Sequence, residues 1–498
     1  MEQLLERYKS HMQKIAAYNH AMVIMSYDSE TVMPKAGAPG RGMAMGILSG
    51  EMYSLITGEE MQGIMAEMAA NIEKLDAATK REIELGLEEI EEISKIPKEE
   101  YIAFQVLVND ATMVWREAKN TNDYAKFEPY LKQIIDFVIK FANYMKPGVH
   151  PLDTWLDKHE KGMTMEVLDR YFADVKAKLV PLIHAIAERG RKIETDFLKQ
   201  EFPIDAQRKL SEYLMEVLTI DRNRCAIGEV EHPFMSGLSS QDVRMTTHYY
   251  ADNLLSSLFS VVHEGGHATY ELGVDPTYDF TPLSGGVSTG IHESQSRFFE
   301  NIIGRSEEFI NLIYPKLAEL FPEQLKDVSA HELYLAANES KPSLIRIEAD
   351  ELTYSLHIMV RYEAEKRIMS GTITTAELPA LWNALYKEYL GVDVPDDAHG
   401  VLQDVHWSGG MFGYFPSYSV GSAYASQLYA AMMRDLDVPA LVKAGDIRPI
   451  VNWLGERIHR FGMFKKPSEL LEQACGAPFD PTYYTDYLIR KYSEVFGL

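Results

Sequence analysis

The stretch Leu254-Leu255-Ser256-Ser257-Leu258-Phe259-Ser260-Val261-Val262-His263-Glu264-Gly265-Gly266-His267 decides how the chain is read. Leu254, Leu258 and Val262 recur four apart, and Leu255 and Phe259 extend the apolar surface onto an adjacent face. That pattern predicts a buried helix. Gly273 offers it a C-terminal cap, and Pro276 lies beyond. On such a helix His263 and His267 stand one turn, ~6 Å, apart on one face. Two imidazoles so placed can converge on one divalent metal ion. Glu264 is rotated from His263 by roughly 100°, which puts a carboxylate beside the ion, where it can take a proton from water. Gly265 and Gly266 each cost about 1 kcal/mol against alanine inside a helix. Close approach of substrate or of a second helix is the physical reason to keep them.

A structural zinc takes four protein ligands, whereas a catalytic one takes three and leaves a position for water. Candidates for the third lie in Gly290-Ile291-His292-Glu293-Ser294-Gln295-Ser296-Arg297-Phe298-Phe299-Glu300. This segment follows the glycine-rich 284–290 loop and reads as a helix with Ile291, Phe298 and Ile302 facing inward. Glu293 and Glu300 are seven apart and share a face, so spacing alone admits either. The loop lacks the Walker lysine pattern and is not read as a phosphate cradle.

Helical periodicity governs most of the chain. Val167, Leu168, Tyr171, Phe172, Val175, Leu179, Leu182 and Ile183 mark a helix in Met165 to Lys199, and similar patterns cover Leu75 to Ile96, Tyr130 to Tyr144 and Ala349 to Met369. Two places break the pattern. Residues 33–40, with Pro34, Gly37, Pro39 and Gly40, are expected to form a loop. Asp242 to Thr247 alternates apolar and polar residues as a short strand does, with an edge available for pairing with a peptide backbone. No repeat, low-complexity tract or long linker divides the 498 residues. A single mainly helical unit over residues 1–498 is the expectation.

With 49 basic against 74 acidic residues the formal charge is −25. That argues against nucleic acid or an anionic membrane as a partner. Cys225 and Cys475 are far apart, without ligand spacing, and are read as small core residues. The N-terminus begins with the charged amphipathic run Met1 to Arg7 and has no apolar signal region. The apolar run Leu254 to Val262 is too short to span a bilayer. A cytoplasmic location is expected.

Five separated blocks resemble the signatures of the carboxypeptidase Taq family of thermostable metallocarboxypeptidases. They are His232-Pro233-Phe234; Asp242-Val243-Arg244-Met245-Thr246; His263 to His267 with His292-Glu293-Ser294-Gln295; Ile345-Arg346-Ile347-Glu348-Ala349-Asp350; and Gly400-Val401-Leu402-Gln403-Asp404-Val405-His406-Trp407. Further echoes at 28–34, 115–116 and 153–162, and in the last helix, extend the likeness over nearly the whole chain. Tyr27 stands where the family pattern leads one to expect tryptophan.

The resemblance implies a mainly α, two-lobed fold with a deep active-site groove, similar to neurolysin and angiotensin-converting enzyme, with a small β element near the site. It selects Glu293 over Glu300 as the third ligand beside His263 and His267. It implies Zn²⁺, with Co²⁺ as a working substitute, peptide substrates trimmed by single C-terminal residues with broad preference, and a homodimer. Glu264 is then the general base. His406 and Tyr418 are candidates for stabilising the oxyanion. Arg346 and Arg244 are candidates for gripping the terminal carboxylate. Each arginine also has a purely structural reading, Arg346 pairing with Glu348 or Asp350 and Arg244 with Asp242. The nearest rival is a zinc oligoendopeptidase with the same metal site. A non-catalytic peptide-binding homologue should have lost Glu264 or a ligand, and all are present.

Overall fold

The computed structural model describes residues 1–498. The first third of the chain consists of α1 (Glu2–Thr31), α2 (Ala38–Thr57), α3 (Glu59–Ala69), α4 (Ala77–Ser94), α5 (Lys98–Thr121), α6 (Tyr124–Met145), α7 (Pro151–His159) and α8 (Met165–Arg189). Side chains that accept otherwise orphaned N–H groups start several of them: Asp76 for α4, Asp123 for α6 and Thr164 for α8. The expected loop at 33–40 is shorter than its composition suggests. A 3₁₀ turn covers Lys35–Gly37, and α2 already begins at Ala38. Pro39 is tolerated there because the N–H groups of a first turn have no intrahelical partner. The periodicity expected to carry a helix to Lys199 stops at Arg189. Gly190 follows in an extended conformation, and Arg191 N–H turns instead to the carbonyl of Phe496 at 2.9 Å.

After α9 (Ile204–Val217) comes a three-stranded sheet of β1 (Cys225–Glu229), β2 (Met235–Ser239) and β3 (Asp242–Thr247), in the order β1-β3-β2. β3 is the strand expected from alternation. It lies in the middle of the sheet, parallel to β1 and antiparallel to β2, with Val243 opposite both Cys225 and Gly237. The expectation of a free edge on β3 is therefore wrong. A central strand has both sides hydrogen-bonded, and the free edges belong to β1 and β2.

The sheet leads into α10 (Leu254–Gly273), then α11 (Thr289–Arg297), which runs on as a π-helical turn, Phe298–Gly304. Next come α12 (Glu307–Leu320), α13 (Ala330–Ala337), α14 (Glu351–Met369), α15 (Leu378–Leu390) and α16 (Pro416–Met432), and four more helices lie between Val438 and Phe496. Leu254, Leu258 and Val262 of α10 are buried as the pattern requires, and so are Cys225 and Cys475. Gly273 closes the last turn of α10 without a left-handed cap, and Val274 follows in extended conformation. A Cβ on Gly273 would lie 2.6 Å from that of His459, so the residue makes room for a neighbour. One continuous core joins most elements, while Leu4, Tyr8, Met61, Ile64, Met65, Met68 and Ile83 form a separate small core tying α1, α3 and α4 together.

The paired glycines of α10 mark close packing on both sides. A Cβ on Gly266 would lie 2.5 Å from the Gln295 carbonyl oxygen and 2.7 Å from Ser296 Cα, while one on Gly265 would meet Leu218 at 2.7 Å. The second helix expected from sequence is α11. By contrast, a Cβ on Gly46 of α2 would meet nothing within 4 Å. Gly266→Ala should therefore destabilise the protein by about 1–3 kcal/mol through overpacking against backbone. Gly46→Ala should stabilise it by about 0.5–1 kcal/mol through helix propensity. Denaturation midpoints of the two variants should move in opposite directions.

Candidate active site

His263 and His267 project side by side from α10 towards Glu293 of α11, and one potential ligand atom from each lies within 4.8 Å of the others. His263 Nε2 is 3.8 Å and His267 Nε2 3.5 Å from Glu293 Oε2. The opposite ring nitrogens are engaged elsewhere. His263 Nδ1 meets Glu300 Oε2 at 2.8 Å, and His267 Nδ1 meets His292 Nδ1 at 2.7 Å. His292 Nε2 in turn meets Glu271 Oε1 at 2.8 Å, and that oxygen accepts the Gly286 N–H at 3.0 Å. With each Nδ1 held, each ring turns its Nε2 towards a common point, a two-nitrogen, one-oxygen set that suits a divalent transition-metal ion.

Glu300 illustrates the limit of spacing arguments. In an uninterrupted α-helix it would sit on the Glu293 face, but the wider π turn begins at Phe298 and re-aims it. Glu300 reaches the far nitrogen of His263 and also accepts from Arg297 at 3.2 Å. The remaining oxygen of Glu293, Oε1, accepts from Arg297 Nε at 2.7 Å.

Burial and charge set the protonation states. Burial pushes the Glu264 carboxyl up to about 7, reinforced by the neighbouring Glu293 and Glu300. Burial also opposes ionisation of Glu293, but Arg297 and the two histidines outweigh it and hold Glu293 well below the usual carboxylate range. His267 is brought down to about 4 by burial, so its lone pair is free at neutral pH. Glu264, Glu293 and Glu300 set three carboxylates around two imidazoles with Arg297 among them, a set that suits a divalent cation.

A second group adjoins this one. His406 opens a short 3₁₀ turn, His406–Gly409, and its Nε2 lies 3.3 Å from the Tyr418 hydroxyl on α16. Its Nδ1 is buried without a protein partner, and burial brings the ring down to about 4. Arg346 pairs with neither Glu348 nor Asp350. Its Nε and Nη2 donate to Asp404 Oδ1 at 3.0 and 2.8 Å, and Nη1 donates to the Tyr354 hydroxyl at 3.1 Å. Asp350 caps α14 instead. Arg361 grips Asp404 from the other side, with Nη2 2.6 Å from Oδ2. The Arg346 guanidinium lies 5.1 Å from the Tyr418 ring centroid, and that of Arg297 lies 4.3 Å from the Tyr354 ring. Packed side chains therefore run from Glu293 through Arg297 and Tyr354 to Arg346, Tyr418 and His406. Arg244 is not part of this run. It forks onto Asp242 at 2.9 and 3.0 Å and lies over Tyr27.

Several supporting residues were not singled out from sequence. Arg297 stands four residues after Glu293, a helical ion-pair spacing that was visible. Glu365 of α14 accepts from Trp407 Nε1 at 2.8 Å and from the Gly413 N–H at 2.9 Å, holding the turn that carries His406 and the segment that follows it. Glu160 accepts from the Gly290 N–H at 2.9 Å and anchors the start of α11. Nothing local in the sequence distinguishes these two glutamates from surface ones.

The family model of the carboxypeptidase Taq (M32) metallopeptidases matches residues 7–492. The chain belongs to the carboxypeptidase Taq family. Carboxypeptidase 1 of Bacillus subtilis (strain 168) is 42% identical over 98% of this chain and 97% of its own length. Thermostable carboxypeptidase 1 of Pyrococcus furiosus is 35% identical over 99% and 98%. The crystal structure of the M32 carboxypeptidase from Deinococcus radiodurans R1, 34% identical, matches this fold with a TM-score of 0.96 over 100% of both chains. As a carboxypeptidase Taq family member the chain is a metallocarboxypeptidase, and the expected mainly helical fold with its small sheet is the fold of that family.

The Asp404 cluster yields a stability test. Asp404→Ala leaves Arg346 and Arg361 buried without their carboxylate and should cost about 3–5 kcal/mol. Burial opposes ionisation of Asp404, but the two arginines prevail and hold it well below its ordinary range. Its contribution is thus complete above the unfolded carboxyl value of ~3.9 and is lost as pH falls below it. Unfolding free energy measured by denaturant titration should fall less steeply below pH 4 in the variant than in the wild type.

Proposed function

We propose that the chain binds a zinc ion through His263, His267 and Glu293 and removes single C-terminal residues from peptides of varied sequence. The observation that carries this reading is the convergence of two Nε2 atoms and a Glu293 oxygen, each ligand held from behind, with the buried Glu264 following His263 on the same helix. Zinc in that position supplies Lewis acidity towards water and towards the scissile carbonyl. Glu264 takes the proton of the attacking water and returns it to the departing amine. Its raised affinity for protons suits both halves of that exchange. His406 and Tyr418 are neutral donors for the negative charge that develops on the carbonyl oxygen. The packing of His406 against Tyr418, with its Nε2 3.3 Å from the hydroxyl, supports a joint role.

Arg346 is the first candidate for the substrate's terminal carboxylate. Three of its five N–H groups are committed to Asp404 and Tyr354, which fixes the fork and leaves two free. Arg244, on the sheet, is the second. The substrate backbone is expected to pair with the free edge of β2. We read residues 1–498 as one catalytic unit, cytoplasmic and homodimeric, with cobalt able to replace zinc. No helix is long and apolar enough to cross a membrane.

Chelation with phenanthroline should abolish hydrolysis, and added Zn²⁺ or Co²⁺ should restore it. Glu264→Gln should retain metal while kcat drops by about 10²-fold or more. Glu293→Ala should lose metal and Glu300→Ala should lose far less; the reverse order in metal analysis would overturn the ligand assignment.

Arg346 is tested by comparing a peptide with its C-terminal amide. Arg346→Ala should lower kcat/KM for the acid by roughly 30-fold or more. Amidation should weaken the wild type similarly and barely affect the variant, since a shared interaction can be lost only once. Equal cleavage of acid and amide by the wild type, or cutting at internal bonds, would point to an endopeptidase.

A further inference from the structure

Beside the metal-binding helices a cavity of about 640 Å³ opens between α1 to α4 on one side and the 280–288 loop with the edge of β2 on the other. Its size is that of a small-molecule or side-chain site. Met12 of α1, Met52 of α2, Met61 and Met65 of α3, and Met463 line it. Unbranched thioether side chains refit themselves to apolar groups of different shape. Charged residues also line it: Lys158 pairs with Glu92 at 2.9 Å, Lys161 with Glu88 and Arg81 with Glu84 at 3.5 Å, while Glu89 and Lys466 stand outside these pairs. The methionine-lined part favours an apolar guest of no fixed outline.

A chain of hydrogen bonds links the cavity wall to the candidate metal site. The 284–288 part of the wall belongs to the loop whose Gly286 N–H holds Glu271, which holds His292, which holds His267. Gly237 of β2, another wall residue, approaches so closely that a Cβ there would lie 2.7 Å from the Glu271 carboxylate. At the mouth, Phe280 is 49% exposed and its ring centroid lies 6.2 Å from that of His20 on α1. Its backbone has φ +63°, a left-handed conformation that is strained for an aromatic residue. Such strain persists where surroundings impose it, often at a ligand-binding rim. An exposed aromatic ring held at a cost across the mouth of an apolar cavity has no use in the core.

We propose that this methionine-lined cavity receives an apolar side chain of the peptide substrate N-terminal to the scissile bond, with Phe280 forming its rim. The inference rests on the carboxypeptidase reading above and adds its substrate class: peptides carrying a bulky apolar residue upstream of the residue released. The floor of methionines makes the site selective for apolarity rather than for one side-chain shape.

The test uses metal-loaded full-length enzyme and N-blocked tetrapeptides that share their last two residues. Leucine, phenylalanine or aspartate is placed at each of the two upstream positions in turn. At one position leucine and phenylalanine should be equivalent within a few-fold and should exceed aspartate by at least about tenfold in kcat/KM, mainly through KM, as burial of one such side chain requires. Val23→Asp, which introduces a charge into the α1 wall, should bring the leucine-to-aspartate ratio to one or below, and Phe280→Ala should reduce it several-fold. Because each result is a ratio within one protein, a general loss of activity or stability cancels. Equal rates for leucine and aspartate at both positions in the wild type, or an unchanged ratio in Val23→Asp, would overturn the proposal. If the wild type instead fails to release the terminal residue from any of these peptides, the carboxypeptidase reading itself fails.

Discussion

Backbone-to-backbone contact between α10 and α11 is the constraint on which the reaction centre rests. Gly266 lets α11 approach until its own Gln295 and Ser296 main chain occupies the space of a side chain. Gly421 of α16 does the same from the opposite side, where a Cβ would lie 2.6 Å from that of Glu293. The helix that carries Glu293 is thereby held between two others at distances no larger residue would allow. A glutamate on it can reach the imidazoles of α10 with little freedom to move elsewhere, which is what a preorganised site needs from its scaffold. The glycines weaken each helix locally and tighten the assembly.

Around that contact the protein buries charged groups in ion-paired sets. Arg297 lies between Glu293 and Glu300, and Asp404 lies between Arg346 and Arg361. Buried ion pairs are weak sources of stability, since desolvation consumes most of their attraction. Their value here is directional. Each guanidinium is paired with carboxylate and lies over an aromatic ring, Arg297 over Tyr354, Arg346 over Tyr418 and Arg361 over Trp382, so these side chains are held in fixed orientations. Glu365 plays a similar part, accepting from the Trp407 indole N–H within the His406 turn and from the Gly413 backbone N–H beyond it.

What could be read in the sequence was whatever repeats locally. The α10 stripe, the four-residue spacing of His263 and His267 and the alternation of β3 are local signals, and the folded chain contains all three. The position of β3 within its sheet was not legible, because strand order depends on partners at Cys225 and Met235 that no local pattern pairs. The π turn after Arg297 carries no signal in composition, so spacing could not separate Glu293 from Glu300, and only the family resemblance did. Arg346 finds its carboxylate 58 residues away at Asp404 rather than beside it at Glu348 or Asp350. Sequence proximity had suggested the wrong partners because Asp350 is turned towards capping α14 and Glu348 lies exposed. The start of α2 was misjudged for a simpler reason: proline and glycine break helix interiors but not first turns.

The separate core of α1, α3 and α4 has a thermodynamic consequence. It comprises seven buried residues, isolated from the large core that holds α10 and α11. So small a nucleus gives its helices an opening free energy well below that of global unfolding. Amide hydrogens in these helices should therefore exchange with solvent sooner than those of α10, α11 and α16. The same helices form one wall of the methionine-lined cavity. Under the role proposed for that cavity, gentle warming should loosen discrimination among peptides before it disturbs α10 and α11, so that selectivity and chemistry can fail, and evolve, separately.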